Sequence, residues 1–416
     1  MSAHNSASLE ELLTQLETAI RGKDRRRALE LSRKIQQRLA ADAAENASAE
    51  RQMRALMAEL DASRSQVEIV EHVDFRVLDV ERDISPAEDG TVYPVWFATN
   101  RKPAADGVTF TNTRHAVTTR GRVLVNVPEA HRFGETGSGF WKRLMRFDLR
   151  DDQLRIQATE QRDRDAFFAE IHEAMQAARD TGSAPHALFF LHGFNVSFEN
   201  AAIRAAQIGY DLKVPGATAF FAWPSRGSVT AYPADEATIE ASERAITDFL
   251  VDFATNCGAG KVHVIAHSMG NRGLLRALQR IAANAETRGK VKFGQIFLAA
   301  PDVDRDLFVD LARLYPEYSE RTTLYASDGD LAVHASAKLH SAPRAGYFAP
   351  YTVTPGVDTI AVPDFDIDLL GHGYFSQAEA LLHDMFDLMR LDVAPGKRQR
   401  ITPTIDGSVS FWKLRK

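Results

Sequence analysis

The sequence predicts an α/β fold, a mostly parallel sheet with helices on both faces. Three observations carry this. From about residue 162 onward, strand-type and helical patterns alternate regularly. Several strand-type segments, such as "HALFFLHGF" and "FGQIFLAAPD", are almost continuous apolar runs, as strands buried on both faces must be. The chain has 416 residues, 44% hydrophobic and 25% charged, so it can bury a large core and falls in the ordinary globular range.

Residues 1–66 read differently from the rest. Leu9, Leu12, Leu13, Leu16 and Ile20 form one apolar stripe at helical spacing, and Leu29, Leu31, Ile35 and Leu39 a second. Met53, Leu56, Met57 and Leu60 make a third, and "RGKD" between the first two supplies turn and cap residues. A helical hairpin or short coiled coil is expected there. It suits self-association or docking of a partner, and a cap on the protein's own body is the other reading.

Residues 67–161 change to short alternations with turns, a strand-rich lead-in. "TVYPVWFATNRKP", "GVTFTN" and "RGRVLVNVPEAH" read as separate strands. The lead-in forms either a lid or an added sheet. Residues 162–395 then carry the α/β core. A helix over Arg162–Asp180 precedes the "HALFFL" strand, a helix over Glu199–Asp211 and the "ATAFFAWPS" strand. A long helix over Asp235–Cys257, the strand "KVHVIAHS" and a helix over Asn271–Ala285 come next. "FGQIFLAAPD", a helix near Asp306–Tyr315, "TTLYASDGD", "VDTIAVPDFD" and a helix over Ser376–Arg390 complete the core. Residues 396–416 read as a loose tail or a late edge strand.

Several function classes are disfavoured. The net charge of −6 argues against a mainly electrostatic nucleic-acid binder. The single cysteine, Cys257, cannot form an intramolecular disulfide and has no obvious activating neighbour. There is no secretory n-region and h-region and no apolar run long enough to span a bilayer, so a soluble, cytoplasmic protein is expected. No metal-site spacing and no complete phosphate loop is present, so neither metal nor cofactor is expected.

Ligands of an open parallel sheet bind beyond the carboxyl ends of its strands. The predicted strands deliver His192-Gly193-Phe194, Trp223-Pro224-Ser225, His267-Ser268-Met269-Gly270, Pro301-Asp302 and Asp328-Gly329-Asp330 to that edge, and His372 precedes the last helix. A serine hydroxyl becomes a nucleophile only with a base to take its proton and a carboxylate to orient that base. The turn "AHSMG" has the strand-to-helix setting that lifts a serine clear of a sheet. Such a turn needs small residues two before and two after the serine. Gly270 meets this fully and Ala266 with a single methyl, so the motif reads A-x-S-x-G. The backbone N–H groups of Met269 and Phe194 are the candidate oxyanion donors.

At these residues the chain resembles a family. "LHGF", "WPS", "AHSMG", "SDGDLAV" and "GHGY" occur in the order found in α/β-hydrolase-fold serine esterases. "VWFATNRKP" is similar to the "FYATNR"-type segment that precedes the core in a poorly characterised bacterial group of esterase/lipase-like α/β hydrolases. The resemblance runs over residues 92–390. It implies Ser268 as nucleophile, Asp330 as acid through the pattern Asp330-Leu331-Ala332-Val333, and His372 of "GHGY" as base. The expected activity is cleavage of a small-molecule carboxylic ester through an acyl-enzyme.

Alternatives stand beside these roles. Asp328 and Asp302 are other candidates for the acid. His192, Trp223 and His267 are candidate pocket residues, with a brace for the oxyanion turn, core packing and local structure as their plainer readings. The same constellation serves a thioesterase, an amidase or an acyltransferase. A non-catalytic scaffold of the same fold is the reading from a different class.

Overall fold

The computed structural model describes residues 15, 90–129, 131, 154–226, 231–327, 336, 340, 342–348, 350–362 and 375–415. The expected N-terminal helices and the alternating stretch before Gly90 lie outside these residues.

The described strands are β1 (Gly90–Pro103), β2 (Phe110–Pro128), β3 (Arg155–Arg162), β4 (His186–Leu191), β5 (Gly216–Ala222) and β6 (Lys261–His267). They continue with β7 (Phe293–Ala299), β8 (Ser319–Ala326), β9 (Asp358–Ala361), β10 (Ile401–Asp406) and β11 (Val409–Leu414). The helices are α1 (Arg164–Asp180), α2 (Phe198–Asp211), α3 (Tyr232–Ala241) and α4 (Glu243–Asn256). They are followed by α5 (Gly270–Ala283), α6 (Arg305–Leu311), α7 (Leu314–Tyr318) and α8 (Phe375–Leu391).

All these strands form one sheet in the order β10-β11-β9-β8-β7-β6-β4-β5-β1-β2-β3. From β11 to β1 the neighbours are parallel. Antiparallel strands close the two edges, β2 and β3 on one side and β10 on the other. The apolar runs explain the double cover. In β4, Ala187, Phe189 and Leu191 face one core, and Leu188 and Phe190 the other. The first core is covered by α1 and α3–α7 and the second by α2 and α8. Helix entry is set locally: Asp163, Ser197 and Asp304 accept backbone N–H groups at the starts of α1, α2 and α6.

Some elements differ from expectation. Phe110–Asn112 of "GVTFTN" and Arg120–Pro128 of "RGRVLVNVPEAH" belong to the single strand β2, which pairs with β1 through register shifts near Thr99 and Arg101 that absorb its extra residues. The long helix over Asp235–Cys257 is two helices that meet at Ser242. Its hydroxyl donates to the Thr238 carbonyl (2.7 Å) and accepts from Asn100 Nδ2 (2.9 Å). The helix near Asp306–Tyr315 likewise divides into α6 and α7. Pro316 sits in the first turn of α7, where its missing N–H is tolerated. The lead-in strands extend the core sheet, and the C-terminal tail forms the β10–β11 hairpin on β9.

Strand order places the site. From β4 the chain crosses through α2 to β5 on one side. From β6 it crosses through α5 to β7 on the other. Between two strands whose connections diverge, a crevice opens at their carboxyl ends. Here those carboxyl ends carry the turn after Leu191 and the turn after His267.

Candidate active site

Ser268 follows β6 directly and adopts φ +47°, a left-handed conformation that is costly for a residue with a Cβ. The surroundings hold it there. Its N–H donates to the Ala299 carbonyl at 2.9 Å. Its carbonyl accepts from the N–H groups of Asn271 (3.1 Å) and Asp302 (3.2 Å) and from Asn271 Nδ2 (3.0 Å). The same amide reaches the Ala266 and Ala299 carbonyls, so buried Asn271 ties together the ends of β6 and β7.

Two glycines allow the two turns to meet. A Cβ on Gly270 would lie 2.6 Å from the carbonyl oxygens of both Leu191 and His192. The first turn of α5 therefore presses directly against the end of β4. A Cβ on Gly193 would lie 2.9 Å from Ser268 Cβ and 2.8 Å from His267 Nδ1. The "LHGF" turn and the "AHSMG" turn are thus in contact around the serine. Ala266 is fully buried within the core.

Met269 is buried at the start of α5, where the first N–H groups of a helix have no partner within it. Phe194 is half-buried and packs edge-on against Tyr232, with ring centroids 5.2 Å apart. Asn195, next in the turn, is also left-handed at φ +58°. Behind it, His192 is 1% exposed and stacks on Trp223 at 5.1 Å and 11°. Trp223 Nε1 donates to the His192 carbonyl at 2.9 Å. His192 Nδ1 lies 2.8 Å from the Gly193 carbonyl, an acceptor, so this nitrogen carries the proton. Burial, helped by the positive charge of Arg101, lowers the His192 pKa to about 3. At neutral pH His192 is therefore an uncharged imidazole. Trp223 is fully buried, and His267 is half-buried beside Gly193.

Among the acid candidates, Asp302 is described and 1% exposed. Its carboxylate accepts from the Tyr232 hydroxyl and from Ser336 Oγ (2.6 Å). Arg272 and Arg344 lie 3.4 and 3.5 Å from it. Arg272 also donates to the Asp302 carbonyl (2.6 Å) and pairs with Glu236, which pairs in turn with His340 at 2.8 Å. Asp328, Asp330 and His372 lie outside the described residues.

The structure thus brings Ser268, Met269, Phe194, His192, His267, Trp223 and Asp302 to the carboxyl ends of β4–β7. Sequence reasoning assigned no chemistry to Tyr232 and passed over Arg272 and the buried polar group Thr99, Asn100 and Arg101 at the end of β1. The available signal was three consecutive polar residues closing an apolar strand, within the segment "VWFATNRKP".

A groove of about 640 Å³ is lined by residues such as Arg120, Arg164, Asp252 and Arg280 and contains no residue of either turn. Among the described residues no group of three or more His, Cys, Asp or Glu is arranged to hold a metal ion. None of the described helices is long and apolar enough to cross a membrane. Cys257 is buried at the end of α4, and burial raises its thiol pKa.

This fold defines an α/β hydrolase. The chain belongs to the family described as "Alpha/beta hydrolase of unknown function (DUF900)", whose model matches residues 168–389. Comparison with curated proteins gives no match. Among solved structures, an uncharacterized protein from Bacillus cereus ATCC 10987 is similar at 14% identity and a TM-score of 0.33. That match covers 55% of this chain and 70% of the other.

Proposed function

We propose that this chain is a serine hydrolase acting on small-molecule carboxylic esters, with Ser268 as its nucleophile. One observation carries the reading. Ser268 is held left-handed at a strand-to-helix junction, with Gly193 packed against its Cβ. Such strain, retained by several hydrogen bonds, supports a functional role and costs on the order of 1–3 kcal/mol.

In this reading Ser268 Oγ attacks the acyl carbon while His372 accepts the hydroxyl proton. The carbonyl oxygen takes up negative charge between the N–H groups of Phe194 and Met269. The tetrahedral intermediate collapses, the acyl–oxygen bond breaks, and His372 returns the proton to the leaving alcohol. Water, deprotonated by the same histidine, then cleaves the acyl-enzyme. Asp330 orients His372. Asp302 is the weaker candidate for that role, because Tyr232, Ser336 and two arginines already engage its carboxylate. His192, buried and neutral, supports the oxyanion turn.

A fluorophosphonate probe tests the proposal. Labelling of the wild type and loss of labelling in Ser268→Ala is the expected result. Folded wild-type protein that stays unlabelled at several pH values would instead favour a non-catalytic scaffold.

A further inference from the structure

Arg101 stands out among the residues that the proposed chemistry leaves unused. It ends the buried stretch of β1 and is 0% exposed. A buried guanidinium loses several kcal/mol of hydration unless hydrogen bonds replace it. Here the replacement comes mainly from loop carbonyls. Nη2 donates to the Val196 carbonyl at 2.7 Å, and Nη1 to the Ser225 carbonyl at 3.3 Å and to Asn112 Oδ1 at 2.5 Å. Val196 closes the turn that begins at His192 and contains Phe194. Ser225 closes the "WPS" loop after β5. One planar fork therefore spans the two loops on either side of the His192–Trp223 stack.

The surroundings reinforce the clamp. Ser225 Oγ accepts from the Val196 N–H (3.2 Å) and donates to buried Asp235 (2.7 Å), so the two loops are also joined to each other. Thr99 Oγ1 donates to the Ala222 carbonyl (2.6 Å) and accepts from the Arg101 N–H (3.0 Å), which fixes the start of the arginine side chain. Glu199 and Asp235 balance the charge at longer range. Burial lowers the Arg101 pKa to about 10, so it remains a cation at neutral pH.

We infer that Arg101 is a positioning residue for the oxyanion turn. By gripping the Val196 and Ser225 carbonyls it sets where the Phe194 N–H points. The part of this inference that concerns catalysis rests on the hydrolase reading above. The clamp on residues 192–196 does not. An oxyanion donor displaced by about 1 Å loses rate at the chemical step and leaves substrate binding in place.

The test compares Arg101→Met and Arg101→Lys with the wild type in three measurements. These are ester hydrolysis, the rate of fluorophosphonate labelling, and hydrogen exchange of peptides covering residues 192–196. Arg101→Met is expected to lower kcat and the labelling rate about 100-fold with KM unchanged. Exchange at 192–196 is expected to rise. Arg101→Lys keeps the charge but cannot span two carbonyls, so about a ten-fold loss is expected. Where Arg101→Met does not fold, Arg101→Lys carries all three measurements. Wild-type kcat and exchange in Arg101→Lys would overturn the inference. So would a rise in KM alone, or a loss of kcat with unaltered exchange at 192–196. Wild-type protein that the probe does not label would defeat the hydrolase reading, and exchange at 192–196 would still decide the clamp.

Discussion

Strands β4 and β6 lie side by side, with a buried histidine just past the carboxyl end of β4 and another near the amino end of β6. At the carboxyl edge, His192 is stacked on Trp223 beside the candidate site. Toward the amino edge, His263 accepts from the Gln295 N–H at Nδ1 (3.0 Å), so Nε2 carries the proton and donates to His186 Nδ1 (3.2 Å). Burial lowers both pKa values to about 3. The backbone around them differs. Asn195, Ser268 and Ala300 follow the neighbouring strands β4, β6 and β7, and all three are left-handed. Lys213 and Asp392 are left-handed too, but they sit just past the ends of α2 and α8, where that conformation ordinarily terminates a helix. Among the described residues, left-handed non-glycine backbone directly after a strand clusters at the carboxyl edge. Burial alone therefore does not distinguish the two edges; backbone strain at adjoining strand ends does.

The comparison can be broken most severely at the serine. Ser268→Gly is expected to abolish ester hydrolysis, a loss of at least about 10⁴-fold. The same change relieves the left-handed strain and should raise stability by about 1 kcal/mol in urea titration. A fall in stability would show that the strain has been misjudged.

Gly193→Ala comes next. Its new methyl would meet Ser268 Cβ and His267 Nδ1, so a loss of about 100-fold in kcat is expected with the protein still folded. Retained kcat would mean that the two turns are not as tightly apposed as described.

The two histidines separate by pH. Both are neutral in the folded protein down to about pH 3, whereas in the unfolded chain they titrate near 6.5. The unfolded state binds more protons between these values, so stability is complete above about 6.5 and falls as pH drops toward 3. The upper bound is about 5 kcal/mol for each histidine. His263→Gln should flatten this slope and leave kcat near wild type. His192→Gln should flatten it and also lower kcat. Denaturant titrations at several pH values, alongside activity, check both outcomes, and a matching effect on kcat would erase the contrast between the edges.

Asp302→Asn should cost about 3 kcal/mol in stability, because it weakens a buried carboxylate shared by two arginines. The pKa of the base in the pH–rate profile should not move. A large shift there would make Asp302 the triad acid. Ala266→Gly is the smallest change, with labelling intact and about 1 kcal/mol of stability lost to added backbone freedom.

Much of the fold was legible because hydrophobic period is a local property. "HALFFL" and "KVHVIAH" announce buried strands whatever surrounds them, and "AHSMG" announces a sharp turn. The joining of two expected strands into β2 was not legible, since pairing with β1 decides where that strand ends. Nor was the break at Ser242, which depends on Asn100, a residue 142 positions away.

The candidate site divides in the same way. Ser268, Met269 and Phe194 could be read from the residues beside them, because a turn needs small neighbours and a helix start offers free N–H groups. Their neighbourhood could not. Arg101 meets Val196 and Ser225 across 95 and 124 residues, and Asp302 meets Tyr232 across 70. Sequence by itself determined the alternation of strands and helices in the core and the residues delivered to the turns after β4, β5, β6 and β7. Tertiary structure decided which turns touch, which histidine is kept neutral and which carboxylate is already engaged. The physical reason is that periodicity and turn chemistry act over a few residues, whereas desolvation and buried hydrogen bonds depend on parts of the chain that only folding brings together.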